Sequence, residues 1–313
     1  MSTGILKIDS VYEKFEKGLK NGNNVDDAYF KNDGNISISN ILGEFSDGFA
    51  NDDDSNFKNY GSLIITKTSN ASFAGDGNIE NYNIIDISDT PENAIVIRNV
   101  RNDAARFYNS PSGIINIARS GSSVGSLRIE STMINDGNIN IDTSNLNGIE
   151  VRSSGIMNNN GEITIDSSGG EGINIDGATL NNFGDIVILR SKDNGMKTFR
   201  DGILNNYKDI SIDKTSKSGL NINGSSVFNS GIINITNSAE EGMRLFGEGI
   251  FTNLKQGEID ISGSIEYGLL ISGDSVFNIN EDSIFKISST AETLMQIDKG
   301  GILEGYPTIE IID

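Results

Sequence analysis

Carboxylates are the most abundant side chains in this sequence that can do acid–base chemistry. The 313 residues include 44 aspartates and glutamates, 24 lysines and arginines, no histidine and no cysteine, with a net charge of −20. The absent residue types exclude imidazole general bases, thiol nucleophiles, disulfides and thiolate metal sites. The acid surplus argues against a nucleic-acid partner, because phosphate binding depends on lysine and arginine.

Paired carboxylates could in principle cleave a glycosidic bond or hold calcium. Asp142 and Asp166 stand at equivalent positions of a repeat, but Leu189 interrupts their row. Calcium needs more oxygen ligands than two carboxylates supply, so solvated turn residues are the better interpretation. We therefore predict no catalytic residue, no metal site and no cofactor, and the chain is expected not to be an enzyme.

Aromatic residues form a second group with chemical potential, as a binding surface. Tyr60 and Tyr82 occupy the same place in adjacent repeats, and Phe183 and Tyr207 repeat the arrangement. Rings stacked at an outer corner can contact the face of a sugar or a partner protein. Packing of the rings on one another is the alternative interpretation. The sequence predicts Tyr60, Tyr82, Phe183 and Tyr207 as a binding corner.

One loop of the chain is locally basic. Arg98, Arg101 and Arg106 lie in or beside residues 99–106. These guanidinium groups could meet an anionic sugar, and a balanced surface charge explains them equally well.

An apolar residue recurs before the asparagine-rich turns, at intervals of 22 to 28 residues. These anchors are Phe30, Phe57, Ile79, Phe107, Met133, Met157, Leu180, Leu204, Phe228, Phe251, Phe277 and Leu303. Within each period, pairs such as Ile163 and Ile165 alternate as in short strands. A second alternating pair, such as Ile173 and Ile175, follows a glycine. Each period therefore predicts three short strands and three turns.

A single period of this kind cannot bury its apolar face alone, so neighbouring periods must stack. Three strands per coil, each pairing with its equivalent in the next coil, make a parallel β-helix. Left-handed hexapeptide helices have shorter and more even coils. We predict an all-β fold: a single-stranded right-handed parallel β-helix of about eleven coils.

Asparagine follows the anchor by two residues in most periods. These positions are Asn32, Asn59, Asn81, Asn109, Asn135, Asn159, Asn182, Asn206 and Asn253. Asparagine tolerates the left-handed conformation of a sharp corner, and stacked amides can hydrogen-bond from coil to coil. The sequence predicts a structural asparagine ladder at one turn.

The two ends differ from the repeat. Residues 1–29 lack it and carry a mildly amphipathic stretch with Tyr12, Phe15 and Leu19, which predicts a partly helical N-terminal cap. Residues 30–313 are the predicted β-helix. The last residues form a strand without a capping sequence, which predicts a continuation of the solenoid, a partner, or end-to-end self-association there.

Three segments, NDGNINIDTSNLNGIEV, NNNGEITIDSSGGEGINI and NSGIINITNSAEEGMRL, resemble repeats of autotransporter passenger domains and haemagglutinin-like adhesins of Gram-negative bacteria. The resemblance covers residues 30–313 and implies a secreted bacterial protein displayed at the cell surface. The chain shows neither a signal-peptide pattern nor a transmembrane segment.

A non-catalytic adhesin or structural stalk is the expected function, with a carbohydrate or a surface protein of a host or neighbouring cell as partner. The alternative is a carbohydrate-active β-helix, a polysaccharide lyase or glycoside hydrolase acting through carboxylates on an outer face.

Overall fold

A computed structural model of the chain describes residues 4–11, 18–21, 28–42, 47–52, 55–98, 105–121, 124–305 and 308–312. These residues form β-strands and turns and include no helix, so none of them forms a helix that could cross a membrane. The chain divides into two compact units, residues 1–164 and 165–313. Each unit is a parallel β-solenoid whose coils contribute one strand to each of three sheets, A, B and C. The predicted all-β parallel solenoid is confirmed.

The strands of the first unit fall into the three sheets in regular rotation. Sheet A holds β1 (Ile5–Val11), β4 (Asn35–Ile41), β7 (Ser62–Thr68), β10 (Ile84–Ser88), β13 (Ile114–Ala118) and β16 (Asn138–Ser144). Sheet B holds β2 (Leu19–Asn21), β5 (Phe49–Asn51), β8 (Phe73–Gly75), β11 (Ile95–Ile97), β14 (Gly125–Ile129) and β17 (Asn147–Arg152). Sheet C holds β3 (Tyr29–Asn32), β6 (Asn56–Asn59), β9 (Asn78–Asn81), β12 (Arg106–Asn109), β15 (Thr132–Asn135) and β18 (Ile156–Asn159).

The second unit repeats the rotation. Sheet A holds β19 (Glu162–Ser168), within which the two units divide, then β22 (Asp185–Ile188), β25 (Asp209–Thr215), β28 (Ile232–Ser238), β31 (Glu258–Ser262), β34 (Ile284–Ser288) and β37 (Thr308–Ile312). Sheet B holds β20 (Ile173–Asp176), β23 (Met196–Phe199), β26 (Leu220–Asn223), β29 (Glu241–Phe246), β32 (Tyr267–Ile271) and β35 (Thr293–Ile297). Sheet C holds β21 (Thr179–Asn182), β24 (Ile203–Asn206), β27 (Ser226–Asn229), β30 (Ile250–Asn253), β33 (Val276–Ile279) and β36 (Ile302–Gly305).

Apolar columns fill the interior of both units, because equivalent residues of successive coils lie side by side. In sheet A of the first unit Ile85 pairs with Ile115, and Ile115 pairs with Ile139. In the second unit Ile210 pairs with Ile233 in the same way. All five side chains are buried. The alternation read from the sequence therefore places the correct face of each strand inward.

Residues 1–29, the predicted cap, contribute strands to the sheets where they are described. Strand β1 pairs in parallel with β4, and β2 pairs with β5. The amphipathic stretch with Tyr12 and Phe15 lies outside the described residues, so the cap itself stays a prediction.

The prediction that Phe228 is an anchor is wrong by one residue. Val227 is the buried residue, and it pairs with Leu204 of the preceding coil. Phe228 lies in the outward row instead, opposite Asn205. Both residues are apolar, so the alternation alone does not tell which of them faces inward.

The asparagine ladder is present in both units. Within each unit the amide Nδ2 donates to Oδ1 of the equivalent asparagine in the next coil over 2.7–2.8 Å, as far as Asn159 in the first unit and Asn253 in the second. The first unit contains Asn32, Asn59, Asn81, Asn109, Asn135 and Asn159, and the second contains Asn182, Asn206, Asn229 and Asn253. Asn229 is missing from the predicted set because it follows the true anchor Val227 and not Phe228 by two residues.

The left-handed conformation expected of these asparagines is found elsewhere. None of the ladder asparagines has a positive φ, whereas Lys67, Asp89 and Lys214 at the ends of sheet A strands have φ of 57°, 57° and 54°. The ladder asparagines thus act through their buried amides and not through their backbone conformation.

Candidate binding site

The four predicted aromatic residues form two separate stacks, one in each unit. The rings of Tyr60 and Tyr82 are parallel within 2°, with centroids 4.5 Å apart. Those of Phe183 and Tyr207 are also parallel within 2°, at 4.6 Å. Tyr60, Phe183 and Tyr207 are exposed and Tyr82 is half-buried. The rings therefore pack on one another as the alternative interpretation expected, and their outer edges remain accessible.

A cleft of about 370 Å³ adjoins the stack of the first unit. It lies on the outer face of sheet C, across β6, β9 and β12, and is lined by Asn56, Asn78, Ile79, Glu80, Tyr82, Arg106 and Tyr108. The ring of Tyr108 meets that of Tyr82 nearly at a right angle, 78°, with centroids 6.3 Å apart. The predicted pair is thus extended by a third tyrosine, and this cleft is the candidate site.

Strand alternation explains which side chains line the cleft. Phe57, Ile79 and Phe107 face the core of the unit, so the residues on either side of each face outward. One outward row runs through Asn56, Asn78 and Arg106, and the next runs through Lys58, Glu80 and Tyr108. Neighbours in a row are about 4.8 Å apart and the rows about 7 Å apart, from the spacing of strands and of alternate residues.

Glu80 is held at the centre of the cleft by two donors. The Tyr82 hydroxyl donates to its Oε2 at 2.5 Å, and Lys58 Nζ lies 3.0 Å from the same oxygen. Burial alone would raise the pKa of Glu80, but the hydrogen bonds from Tyr82 and Lys58 outweigh it and leave the pKa below its ordinary value. Glu80 is consequently a charged, fixed hydrogen-bond acceptor.

The two tyrosine hydroxyls of the cleft act as donors to carboxylates. The hydrogen bond to Glu80, followed by burial, raises the pKa of Tyr82. The Tyr108 hydroxyl donates to Asp136 Oδ2 at 2.9 Å, which raises the pKa of Tyr108 in the same way. Both rings are therefore neutral at physiological pH, and their hydroxyl orientations are set.

A second polar cluster lies on sheet B of the second unit. Glu240 and Glu266 stand in adjacent coils, with Glu266 N donating to Glu240 O over 3.1 Å. Glu241 is buried and accepts a hydrogen bond from Ser218 Oγ at 2.7 Å. Burial raises the pKa of Glu240, and the charges of Glu241 and Glu266 raise it further. Over the described part of the chain, no three acidic residues are grouped so as to hold a metal ion.

Sequence reasoning found Tyr82 and noted Arg106 but missed Glu80 and Tyr108 as members of one site. Tyr108 directly follows the anchor Phe107, whereas the predicted aromatic residues follow their anchors by three. The available signal was the outward position directly after each anchor, which carries Lys58, Glu80 and Tyr108 in consecutive coils.

The fold defines the class of this protein as a parallel β-solenoid with an internal asparagine ladder and a tyrosine-lined cleft on one outer sheet. Comparison with known proteins finds no matching family model, no matching curated protein and no matching solved structure. The resemblance to autotransporter and haemagglutinin-like adhesins accordingly stays a hypothesis drawn from the repeats.

Proposed function

We propose that this chain is a non-catalytic, surface-displayed solenoid that acts as an adhesin, with the cleft on sheet C of the first unit as its carbohydrate-binding site. The observation that carries the proposal is the combination of Tyr82, Tyr108 and Glu80 in one open cleft. Aromatic rings offer apolar area and polar edges together. Ligand sites combine such area with a few fixed polar groups, and a sugar presents both kinds of surface.

The ionised state of the Glu80 carboxylate favours binding over hydrolysis at this cleft. A glycosidase needs a carboxylic acid with a raised pKa to protonate the leaving oxygen. The pKa of Glu80 is lowered, so this group is ionised and already bonded to Tyr82 and Lys58. A fixed acceptor of this kind suits recognition of sugar hydroxyls.

Two ring substitutions on a glycan array test the proposal. Tyr82→Ala removes both the ring and the donor to Glu80, and it should abolish binding that the wild type shows. Phe183→Ala is the matched control, because it breaks a stack of the same geometry in the other unit and should leave binding unchanged. Equal binding by the wild type and both variants would contradict the proposal that this cleft binds carbohydrate. Far-ultraviolet circular dichroism should show both variants folded.

The carbohydrate-active alternative is favoured by one observation, the raised pKa of Glu240 beside Glu241 and Glu266. A raised pKa is what a general acid requires. Release of reducing or unsaturated sugars from a polysaccharide panel by the wild type, lost in Glu240→Gln, would establish this alternative. Absence of product from every polysaccharide would support the adhesin.

Surface display is the second part of the proposal and is supported by the resemblance of the repeats to exported adhesins. Antibody against the folded chain should label intact cells of the source bacterium as strongly as permeabilised ones. Labelling only after permeabilisation would overturn the extracellular assignment, and with it a partner on a host or neighbouring cell.

A further inference from the structure

Arg106 is a charged residue of the cleft that pairs with no carboxylate of the described residues, although its charge helps to lower the pKa of Glu80. It is the first residue of β12, is exposed, and lines the cleft in the row of Asn56 and Asn78. Among the described residues its side chain makes no ion pair and no hydrogen bond. By contrast, Arg119 pairs with Asp89 and Arg190 with Asp166 of the neighbouring coil, both at 2.6 Å.

The other charged groups around the cleft are already engaged. Glu80 holds Lys58 and the Tyr82 hydroxyl. Asp136 accepts hydrogen bonds from the Tyr108 hydroxyl at 2.9 Å and from Asn160 Nδ2 at 2.6 Å. Within the described residues the cleft therefore offers a ligand one positive charge without an ion-pair partner, in a chain whose net charge is −20.

We propose that the cleft takes a carboxylate-bearing sugar, a uronic or sialic acid residue, and that Arg106 binds its carboxylate. The inference rests on the proposed function, since it names the ligand class of the same cleft. A guanidinium presents a planar fork of donors that matches a carboxylate with two parallel hydrogen bonds.

The remaining groups of the cleft fit the rest of such a sugar. Asn78 Nδ2 donates to Asn56 Oδ1 at 3.3 Å. The opposite ends of both amides, Asn78 Oδ1 and Asn56 Nδ2, make no hydrogen bond within the described chain, so one acceptor and one donor face the hydroxyls. Tyr108 lies about 7 Å from Arg106 along the same strand, so its ring can cover the sugar whose carboxylate Arg106 holds.

The experiment measures binding to oligosaccharides of galacturonate, glucuronate and sialic acid, each beside its methyl ester and a sulfated neutral oligosaccharide. Wild-type protein should bind at least one acid about 10- to 100-fold more tightly than its ester, as a charge-assisted hydrogen bond implies. Arg106→Gln should lose this preference and bind acid and ester equally. Arg106→Lys, which keeps the charge without the fork, should retain part of it.

The matched control is Arg190→Gln, an exposed arginine of the second unit that pairs with Asp166; it should bind like the wild type. Three results would overturn the carboxylate assignment and leave the binding function intact. They are equal wild-type affinity for acid and ester, an unchanged preference in Arg106→Gln, and tighter binding of the sulfated sugar. Binding of none of these sugars, and of no glycan on the array, would overturn both. Tyr82→Ala separates the two claims, because it should abolish binding of acid and ester alike, whereas Arg106→Gln should remove only the preference between them.

Discussion

Replacing Asn206 with alanine should destabilise the second unit by about 2–4 kcal/mol, a value that follows from its buried partners. Its Nδ2 donates to Asn229 Oδ1 at 2.8 Å and to the backbone carbonyl of Lys208 at 2.9 Å, while its Oδ1 accepts from Asn182 Nδ2 at 2.8 Å. Alanine leaves Asn229 Oδ1 without this donor and Asn182 Nδ2 without this acceptor. Each buried polar group left unpaired costs about 1–3 kcal/mol.

The adjacent residue provides a matched control. Asn205 Nδ2 also donates to an asparagine of the preceding coil, Asn181 Oδ1, at 2.8 Å. This pair lies on the outer face, where water replaces the lost partner, so Asn205→Ala should cost only about 0.5–1 kcal/mol. The two substitutions delete the same atoms, and they differ in burial and in that Asn206 also accepts from Asn182 and donates to the backbone carbonyl of Lys208.

Urea unfolding followed by far-ultraviolet circular dichroism gives the comparison through the midpoints of the two variants. A solenoid unfolds by losing interfaces between coils, so both variants should be read against the wild type under identical conditions. Asn206→Asp, which keeps the size but removes the donors, should be at least as unstable as Asn206→Ala near neutral pH. Equal midpoints for Asn205→Ala and Asn206→Ala would refute the ladder as a stabilising element.

Three further predictions concern the coil spacing, the core and the cleft. Gly219→Ala should lower the free energy of unfolding by about 1–3 kcal/mol, because the added Cβ would collide with Ile235 Cγ2 inside the coil. Thermal unfolding measures this loss of stability, and an unchanged unfolding transition would contradict the close approach. Phe107→Ala should cost about 3–5 kcal/mol, since this ring is fully buried, and an effect below about 1 kcal/mol would contradict the packing. Tyr82→Phe should cost about 1 kcal/mol near neutral pH, where Glu80 is ionised and the hydroxyl donates to it. The cost should shrink as pH falls below the ordinary Glu pKa of 4.5 and as it rises above the ordinary Tyr pKa of 10.0, and a difference independent of pH would disprove that hydrogen bond.

The signs of that pH dependence follow from the two shifts. The pKa of Glu80 is lowered in the fold, so its contribution is present above the unfolded pKa and is lost as pH falls. The pKa of Tyr82 is raised, so its contribution is present below the unfolded pKa and is lost as pH rises.

The solenoid could be predicted from the sequence because its determinants are local and repeated. Alternating pairs such as Ile163 and Ile165 define the inward face of a strand wherever they occur. The predicted register is wrong at Val227 and Phe228, where either residue satisfies the alternation. Asn229 would have resolved the register, since asparagine two residues before a glycine recurs after other anchors.

The cleft could be predicted only in part. Tyr60 and Tyr82 share a position in the repeat, so their stacking follows from the period. The lack of an ion-pair partner for Arg106 among the described residues does not follow from the period, because it depends on which carboxylates of neighbouring coils come within reach. Glu80 could as well have paired with Arg106 as with Lys58, and only the three-dimensional arrangement distinguishes the two.

The central claim, that the cleft on sheet C of the first unit binds carbohydrate, is tested most directly by hydroxyl-radical footprinting with a glycan selected on the array. Tyr82 and Tyr108 should be oxidised less in the presence of the glycan. Tyr207, in the matching stack of the second unit, should be oxidised to the same extent with and without it. Unchanged oxidation of Tyr82 and Tyr108, or protection of Tyr207 in their place, would contradict the account.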